Sequence, residues 1–394
     1  MTEAFPIRPE AAAAPTSGIV DTVNFGRTRE GLIPLWVGEG DLSTPAFIAE
    51  AATRSLAAGE TFYTYQRGIP ELRAAIARRQ GAILGREIDP ERIFVTSGGM
   101  PAVQMALRLV AGAGDEVVIP TPAWPNFVGA LTVSGATPVE VALDPSEEGF
   151  SLDLAKLEAA LTPRTRAVVI NSPANPTGWT ATREELAAIL EMARARDLWI
   201  VSDEIYARFV WDERVMVGER AASFHDVMRA DDRVLFVQTL SKNYAMTGWR
   251  VGWLEAPAAL GQTIENLVQY STSGTPVFVQ RAAIAALDHG EGFVQHQIAR
   301  AKRGRAIVSE ALSTLNAVRF APPPGAFYAF IGVPGAESQA LARRIVDEAN
   351  VGLAPGSAFG TGGEDGLRLC FARKAEDLEE AMRRLTPVLR DIPI

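Results

Sequence analysis

One lysine stands out by the company it keeps. Lys242 follows Thr239-Leu240-Ser241 and precedes Gly248-Trp249-Arg250-Val251-Gly252. A lone lysine on a loop is ordinarily a solvated surface charge. Its place in chain order among the other polar and glycine-rich clusters changes that reading. Two further clusters carry complementary groups. Ser202-Asp203-Glu204-Ile205-Tyr206 places an acid just beyond the apolar run Leu198–Val201. Ala174-Asn175-Pro176-Thr177-Gly178 follows the run Arg166–Asn171. An acid just past an apolar strand is often a helix cap. A fourth cluster is Ser97-Gly98-Gly99-Met100-Pro101. Its glycines let an anion approach the backbone, and the free N–H groups of a following helix would favour that anion. Pro101 suits a first helical turn. The same residues also make an ordinary tight turn.

The elements that must position these clusters are legible in outline. Short β-branched runs recur at Ile93–Thr96, Glu116–Pro120, Arg166–Asn171, Leu198–Ser202 and Val234–Gln238. Helical patterns at Pro70–Gly85, Pro101–Ala111 and Arg183–Arg196 lie among them. That alternation predicts an α/β fold with a mostly parallel central sheet flanked by helices. In such sheets ligands bind beyond the carboxyl ends of the strands, where all four clusters fall. The later chain reads differently. A long amphipathic stretch, Glu291–Leu315, precedes short strands around Phe327–Ile331 and Leu367–Phe371 and helices at Ser338–Asn350 and Ala375–Leu389. The expected organisation is an N-terminal segment, 1–48, joined to a smaller α+β domain, 289–394, with a large domain, 49–288, between them.

Composition removes several classes of function. The chain has 394 residues, 47% of them hydrophobic, and a formal net charge of −9. The negative balance argues against general nucleic-acid binding, which needs a basic face. Apolar runs are broken by charges before they could span a bilayer. Met1–Pro15 carries Glu3 and Arg8 without a basic region followed by an apolar one, so the expectation is a cytoplasmic protein. Cys370 is the single cysteine, and the three histidines, His225, His289 and His296, show no metal-binding spacing. No metal site is expected.

In order and spacing the clusters resemble the class I/II aminotransferases, members of fold type I of the pyridoxal-phosphate-dependent enzymes. The resemblance runs from about Gly18 to Phe371. It includes Gly38-Glu39-Gly40-Asp41 with Thr44-Pro45, Tyr63-Thr64 with Gly68, and Glu71-Leu72-Arg73. It continues through Ser97-Gly98-Gly99, Asn175-Pro176-Thr177-Gly178, Asp203-Glu204-Ile205-Tyr206 and Ser241-Lys242 with Met246, Gly248 and Arg250. It ends at Gly325-Ala326-Phe327-Tyr328, Pro355-Gly356 and Arg368.

The resemblance implies a cofactor, pyridoxal 5′-phosphate, held by Lys242 as a Schiff base, with the same lysine moving the α-proton. It implies that Arg250 helps keep that amine neutral, that Asp203 pairs with the ring nitrogen, and that Asn175 and Tyr206 bond the ring's phenolate oxygen. Trp124 would stack on the ring. The phosphate would rest on Gly99, Met100, Thr239, Ser241 and Arg250, with Tyr63 arriving from a neighbouring subunit in a homodimer. Arg368 would take the substrate α-carboxylate, assisted by Gly38 and Asn175, although an arginine there also fits a strand-edge salt bridge. The implied reaction is ping-pong transfer of an amino group from an amino acid to a 2-oxo acid. Elimination, racemisation or cyclisation on the same scaffold, and a non-catalytic ligand-binding homologue, remain open at this point.

Three departures are visible. Gly40 stands where many relatives have proline, Thr239 replaces the commoner serine, and Met100 replaces a polar or charged residue. The side-chain pocket is not legible. Ile19, Phe327 and Tyr328 are candidates for its lining, and Arg67 could reach a distal carboxylate or serve only the surface.

Overall fold

The computed structural model describes residues 6–392. Met1–Phe5 and Pro393–Ile394, the ends of the first and last stretches read above, lie outside the described residues. Seven strands form the central sheet: β1 (Ile93–Thr96), β2 (Glu116–Thr121), β3 (Thr137–Ala142), β4 (Thr165–Asn171), β5 (Trp199–Asp203), β6 (Val234–Thr239) and β7 (Gly252–Glu255). Their spatial order is β1-β7-β6-β5-β4-β2-β3. Only β7 runs antiparallel to its neighbours, so the sheet is mostly parallel, as the alternation of elements predicts.

Strands of such a sheet are buried on both faces, which explains their continuous apolar runs. Successive side chains still point to opposite sides. Val117 and Ile119 join a core with Ala102, Val103 and Ala106 of the helix Gly99–Val110. Val118, Val168 and Ile170 face the other way, onto Leu186, Ile189 and Leu190 of the helix Arg183–Ala195. That second helix starts with a capping box in which Thr182 and Glu185 satisfy each other's backbone N–H groups.

Two strands of the central sheet were not anticipated. β3 contains Pro138 and Glu140 and forms an edge of the sheet, pairing with β2. β7 has four residues and carries a buried acid, Glu255, which pairs with Arg92 and His225. Helices at Ala46–Ala57 and Val277–His289 were likewise not singled out, and they pack on each other. The long helix ends at Leu312, three residues short of the sequence reading.

A smaller sheet joins β8 (Tyr328–Gly332), β9 (Ala354–Pro355) and β10 (Gly366–Cys370) in the order β8-β10-β9, all antiparallel. Helices Glu291–Leu312, Ser338–Ala349 and Ala375–Arg390 supply Val308, Leu312, Leu341, Ile345, Leu378 and Leu385 to its core. Ile33–Pro34 pairs with Val351–Gly352, and Gln339 binds Thr22 of the helix Gly18–Gly26. No helix of the described residues is long and apolar enough to cross a membrane.

Register aligns the site. Asn171 lies opposite Asp203, and Asp203 opposite Val237, so three parallel strands finish on one edge. Gly252 lies opposite both Thr239 and Thr96, which sets the turn after β1 beside the loop after β6. A side chain at Gly252 would meet the Gly98 carbonyl carbon at 3.0 Å and the Gly99 nitrogen at 3.1 Å, so this approach requires glycine.

Candidate active site

The carboxyl edge of the central sheet opens into a cavity of about 580 Å³ that both Lys242 and Asp203 line. Lys242 is half-buried, and its Nζ donates to the Gly38 carbonyl at 2.7 Å. Burial lowers its pKa to about 8, opposed by Cys370 and Glu39 and aided by Arg368 and Arg250. Desolvation is the principal cause, and Arg250 contributes in the same direction.

Asp203 is 1% exposed. Its Oδ1 accepts the Ile205 N–H, at 3.3 Å. Burial pushes the carboxyl up to about 7, with Glu204 acting in the same direction and the Ile205 N–H and Lys242 against it. A carboxyl in this state lacks a cationic donor, and one placed beside it would restore the charged form.

Arg368 is the opposite case, a buried cation without an anionic partner among the described residues. It projects from β10, is 3% exposed, and lies over the rings of Tyr328 at 4.8 Å and Phe359 at 5.0 Å. Nη1 donates to Asn175 Oδ1 at 2.9 Å, and Nη2 donates to the Trp36 carbonyl. Neither partner is a carboxylate, and Nε has no partner among the described residues. The strand-edge salt bridge does not form. A fork so placed matches a carboxylate entering the cavity.

Asn171 holds the floor together. Its Oδ1 accepts the Asn175 N–H at 2.8 Å and its Nδ2 donates to the Asp203 carbonyl at 3.1 Å. Tyr206 and Tyr328 share a hydrogen bond at 2.7 Å, and Tyr328 donates to Gly38 at 3.4 Å. Burial raises both phenols, which keeps them as neutral donors.

One end of the cavity is built for an anion. Gly99 and Met100 open a helix whose first N–H groups have no partners within it. Thr239 and Ser241 hydroxyls lie 2.9 Å apart, and Thr239 is fixed by the Val251 carbonyl at 2.9 Å. Arg250, in a left-handed conformation at φ 55°, turns toward Gly98, where any side chain would collide with its guanidinium. Trp124 lines the cavity and meets Phe127 edge-to-face at 5.5 Å.

Comparison with known proteins decides the family. The family model described as aminotransferase class I and II matches residues 30–385. The chain belongs to the class I and II aminotransferases. This aminotransferase is 36% identical over 358 residues to arginine–pyruvate transaminase of Pseudomonas aeruginosa, covering 90% of this chain and 89% of that protein. It is 35% identical over 360 residues to aspartate aminotransferase of Thermotoga maritima, covering 91% and 92%. The solved structure of aspartate aminotransferase from Thermotoga maritima superposes with a TM-score of 0.90 at 33% identity, covering 98% of this chain and all of that one. The aromatic aminotransferase structure from Pyrococcus horikoshii gives 0.86 at 34% identity, covering 95% and 99%.

Two sequence candidates lie elsewhere in the aminotransferase, and Tyr63 was expected only in a neighbouring subunit's site. Phe327 is buried edge-on against Tyr206 and Phe209 and does not line the cavity. Arg67 is engaged by Glu91 and Glu265 and lies over Phe94, the surface role. Tyr63 is 95% exposed and outside its own chain's cavity. Ile19 and Tyr328 line the cavity as the sequence suggests, whereas Asn171, Trp36 and the rest of the helix Gly18–Gly26 were missed as parts of the site. The polar residue ending β4 was a usable signal for Asn171, whereas Trp36 contributes only a carbonyl and leaves none.

Proposed function

We propose that the cavity holds pyridoxal 5′-phosphate and that the transfer of an α-amino group to a 2-oxo acid proceeds there in two half-reactions. The observation that carries this reading is one cavity lined by an amine lowered toward neutrality, a buried carboxyl short of a cation and a buried guanidinium short of an anion. The residues fit the group: Gly99, Met100, Thr239, Ser241 and Arg250 suit its phosphate, Trp124 its face, and Asp203, Asn175 and Tyr206 its polar edge atoms. When bound, pyridoxal phosphate supplies an electrophilic carbon for amines and an electron sink for the bond broken at the α-carbon.

Arg368, with Asn175 and Gly38, orients the substrate by its α-carboxylate. Lys242 is the residue that would hold the cofactor. A pKa near 8 leaves a useful fraction of Lys242 neutral in mildly basic solution, so its Nζ can take a proton from the α-carbon and return it. Asp203 would keep a proton at the ring nitrogen through charge pairing, and Tyr206 would donate to a ring oxygen once it accepts from Tyr328, a direction their shared hydrogen bond allows.

The same reading includes a homodimer. Phe62, Tyr63, Tyr65 and Tyr270 are 83%, 95%, 63% and 88% exposed, and a second copy covering them would let Tyr63 reach the phosphate end of the partner's cavity. It also includes boundaries near residues 48 and 288 and a cytoplasmic setting, the latter supported by a single cysteine. The test is reconstitution with pyridoxal phosphate, borohydride reduction and peptide mapping. The added mass is expected on the peptide containing Lys242, and mass on any other lysine contradicts the assignment.

A further inference from the structure

The wall of the cavity that the reaction leaves unused comes from the helix Gly18–Gly26 and the residue after it. Ile19, Val20, Val23, Asn24 and Arg27 all line it. Their spacing, i, i+1, i+4, i+5 and i+8, is one helical face, apolar at its start and polar at its end. Arg27 sits just beyond the last helical residue, about 12 Å along the axis from Ile19 at 1.5 Å per residue.

The arginines around this helix are otherwise committed. Arg29 binds Asp347 and lies over Phe25 at 5.0 Å. Arg343 binds Asp21 at 2.6 Å and lies over the same ring at 5.5 Å. Arg27 alone of the three lines the cavity, and it makes no side-chain hydrogen bond or ion pair among the described residues. Four cations line the cavity: Arg27, Lys242, Arg250 and Arg368. In the functional reading above, three of them serve the cofactor and the α-carboxylate.

We propose that Arg27 selects substrates by a negative charge at the far end of the side chain, beyond an apolar stretch that Ile19 and Val23 contact. The substrate class is dicarboxylic amino acids, and their oxo acids, with side chains at least as long as that of glutamate. This rests on the functional reading above. A guanidinium at the cavity mouth can fork onto a carboxylate while its stem lies on the apolar wall. Partial exposure at the mouth limits the gain, so an effect of roughly tenfold is expected rather than a thousandfold one.

The test uses non-reacting ligands on the protein loaded with pyridoxal phosphate. Calorimetry compares dicarboxylates from succinate to pimelate with monocarboxylates of equal length. The expected result is a dicarboxylate preference from glutarate upward that falls about tenfold in Arg27→Ala. In Arg27→Glu it should fall further, and Arg343→Ala should leave it unchanged. Equal ratios in the native protein and Arg27→Ala overturn the role of Arg27 alone. An equal loss in Arg343→Ala overturns it too, because general surface charge would then explain the preference. Failure to take up pyridoxal phosphate at all overturns the parent reading and this one with it.

Discussion

Arg368 Nη1 donates to Asn175 Oδ1 at 2.9 Å, across 193 residues of chain, so a strand of the smaller sheet and a loop of the large one meet in one hydrogen bond. The bond aims a guanidinium that has no carboxylate of its own. Replacing Arg368 with lysine keeps a charge but loses the fork, and kcat/KM should fall about 100-fold, near 2.7 kcal/mol at 1.36 kcal/mol per decade. The loss should fall mainly on KM for the amino acid. Steady-state kinetics with a saturating oxo acid checks this, and an unchanged KM would point to a purely structural arginine.

Lys242→Ala should reduce turnover by at least about 10⁴-fold, the upper range for a positioned proton-transfer group. The fold should survive, since Lys242 is half-buried and makes one hydrogen bond, to a backbone carbonyl. Circular dichroism alongside single-turnover assays separates lost chemistry from lost structure.

The two shifted groups give opposite pH signatures in the cofactor-free protein. Uptake of pyridoxal phosphate needs neutral Lys242, so its rate should rise with pH and level off above about 8, not above 10. Asp203 is raised to about 7 from 3.8, so its contribution to stability is fully present below the unfolded value and is lost as pH rises through 7. Asp203→Asn should therefore raise the apoprotein melting temperature at pH 8 by a few degrees and leave it unchanged near pH 4. Bound pyridoxal phosphate should reverse the advantage, because native Asp203 then has its cation. Melting curves at both pH values, with and without the cofactor, test the sign.

Tyr63 tests the shared site. Tyr63→Ala should weaken cofactor retention while Lys242 stays intact. Mixed with Lys242→Ala and allowed to exchange subunits, it should regain about one quarter of native activity, because a two-fold dimer then has one complete site in half of its molecules. No recovery after verified exchange would place Tyr63 outside the partner's site.

The large sheet and most of the cavity floor were legible because strand period and loop chemistry are local. Lys242, Asp203, Asn175 and the Ser97–Met100 turn each sit at a strand's end, and β-branched runs mark those strands. What was not legible depends on packing between distant segments. Arg67 and Arg27 are both exposed-type residues near suggestive motifs, yet Glu91 and Glu265 occupy one while the other reaches the cavity. Phe327 and Tyr328 are adjacent, but only Tyr328, the first residue of β8, lines the cavity, while Phe327 packs on Tyr206 and Phe209. β7 was hidden because a four-residue strand with a buried acid has no periodic signature, and its acid is tolerable only beside Arg92 and His225.

The most direct test of the central claim is the visible absorption spectrum of the purified protein before and after addition of an amino acid donor, with no oxo acid present. A yellow protein should lose its visible band with a reactive donor and release about one 2-oxo acid per site, and a 2-oxo acid should then restore the band. A colourless protein that takes up no pyridoxal phosphate, or a yellow one whose band no amino acid changes, would contradict the account.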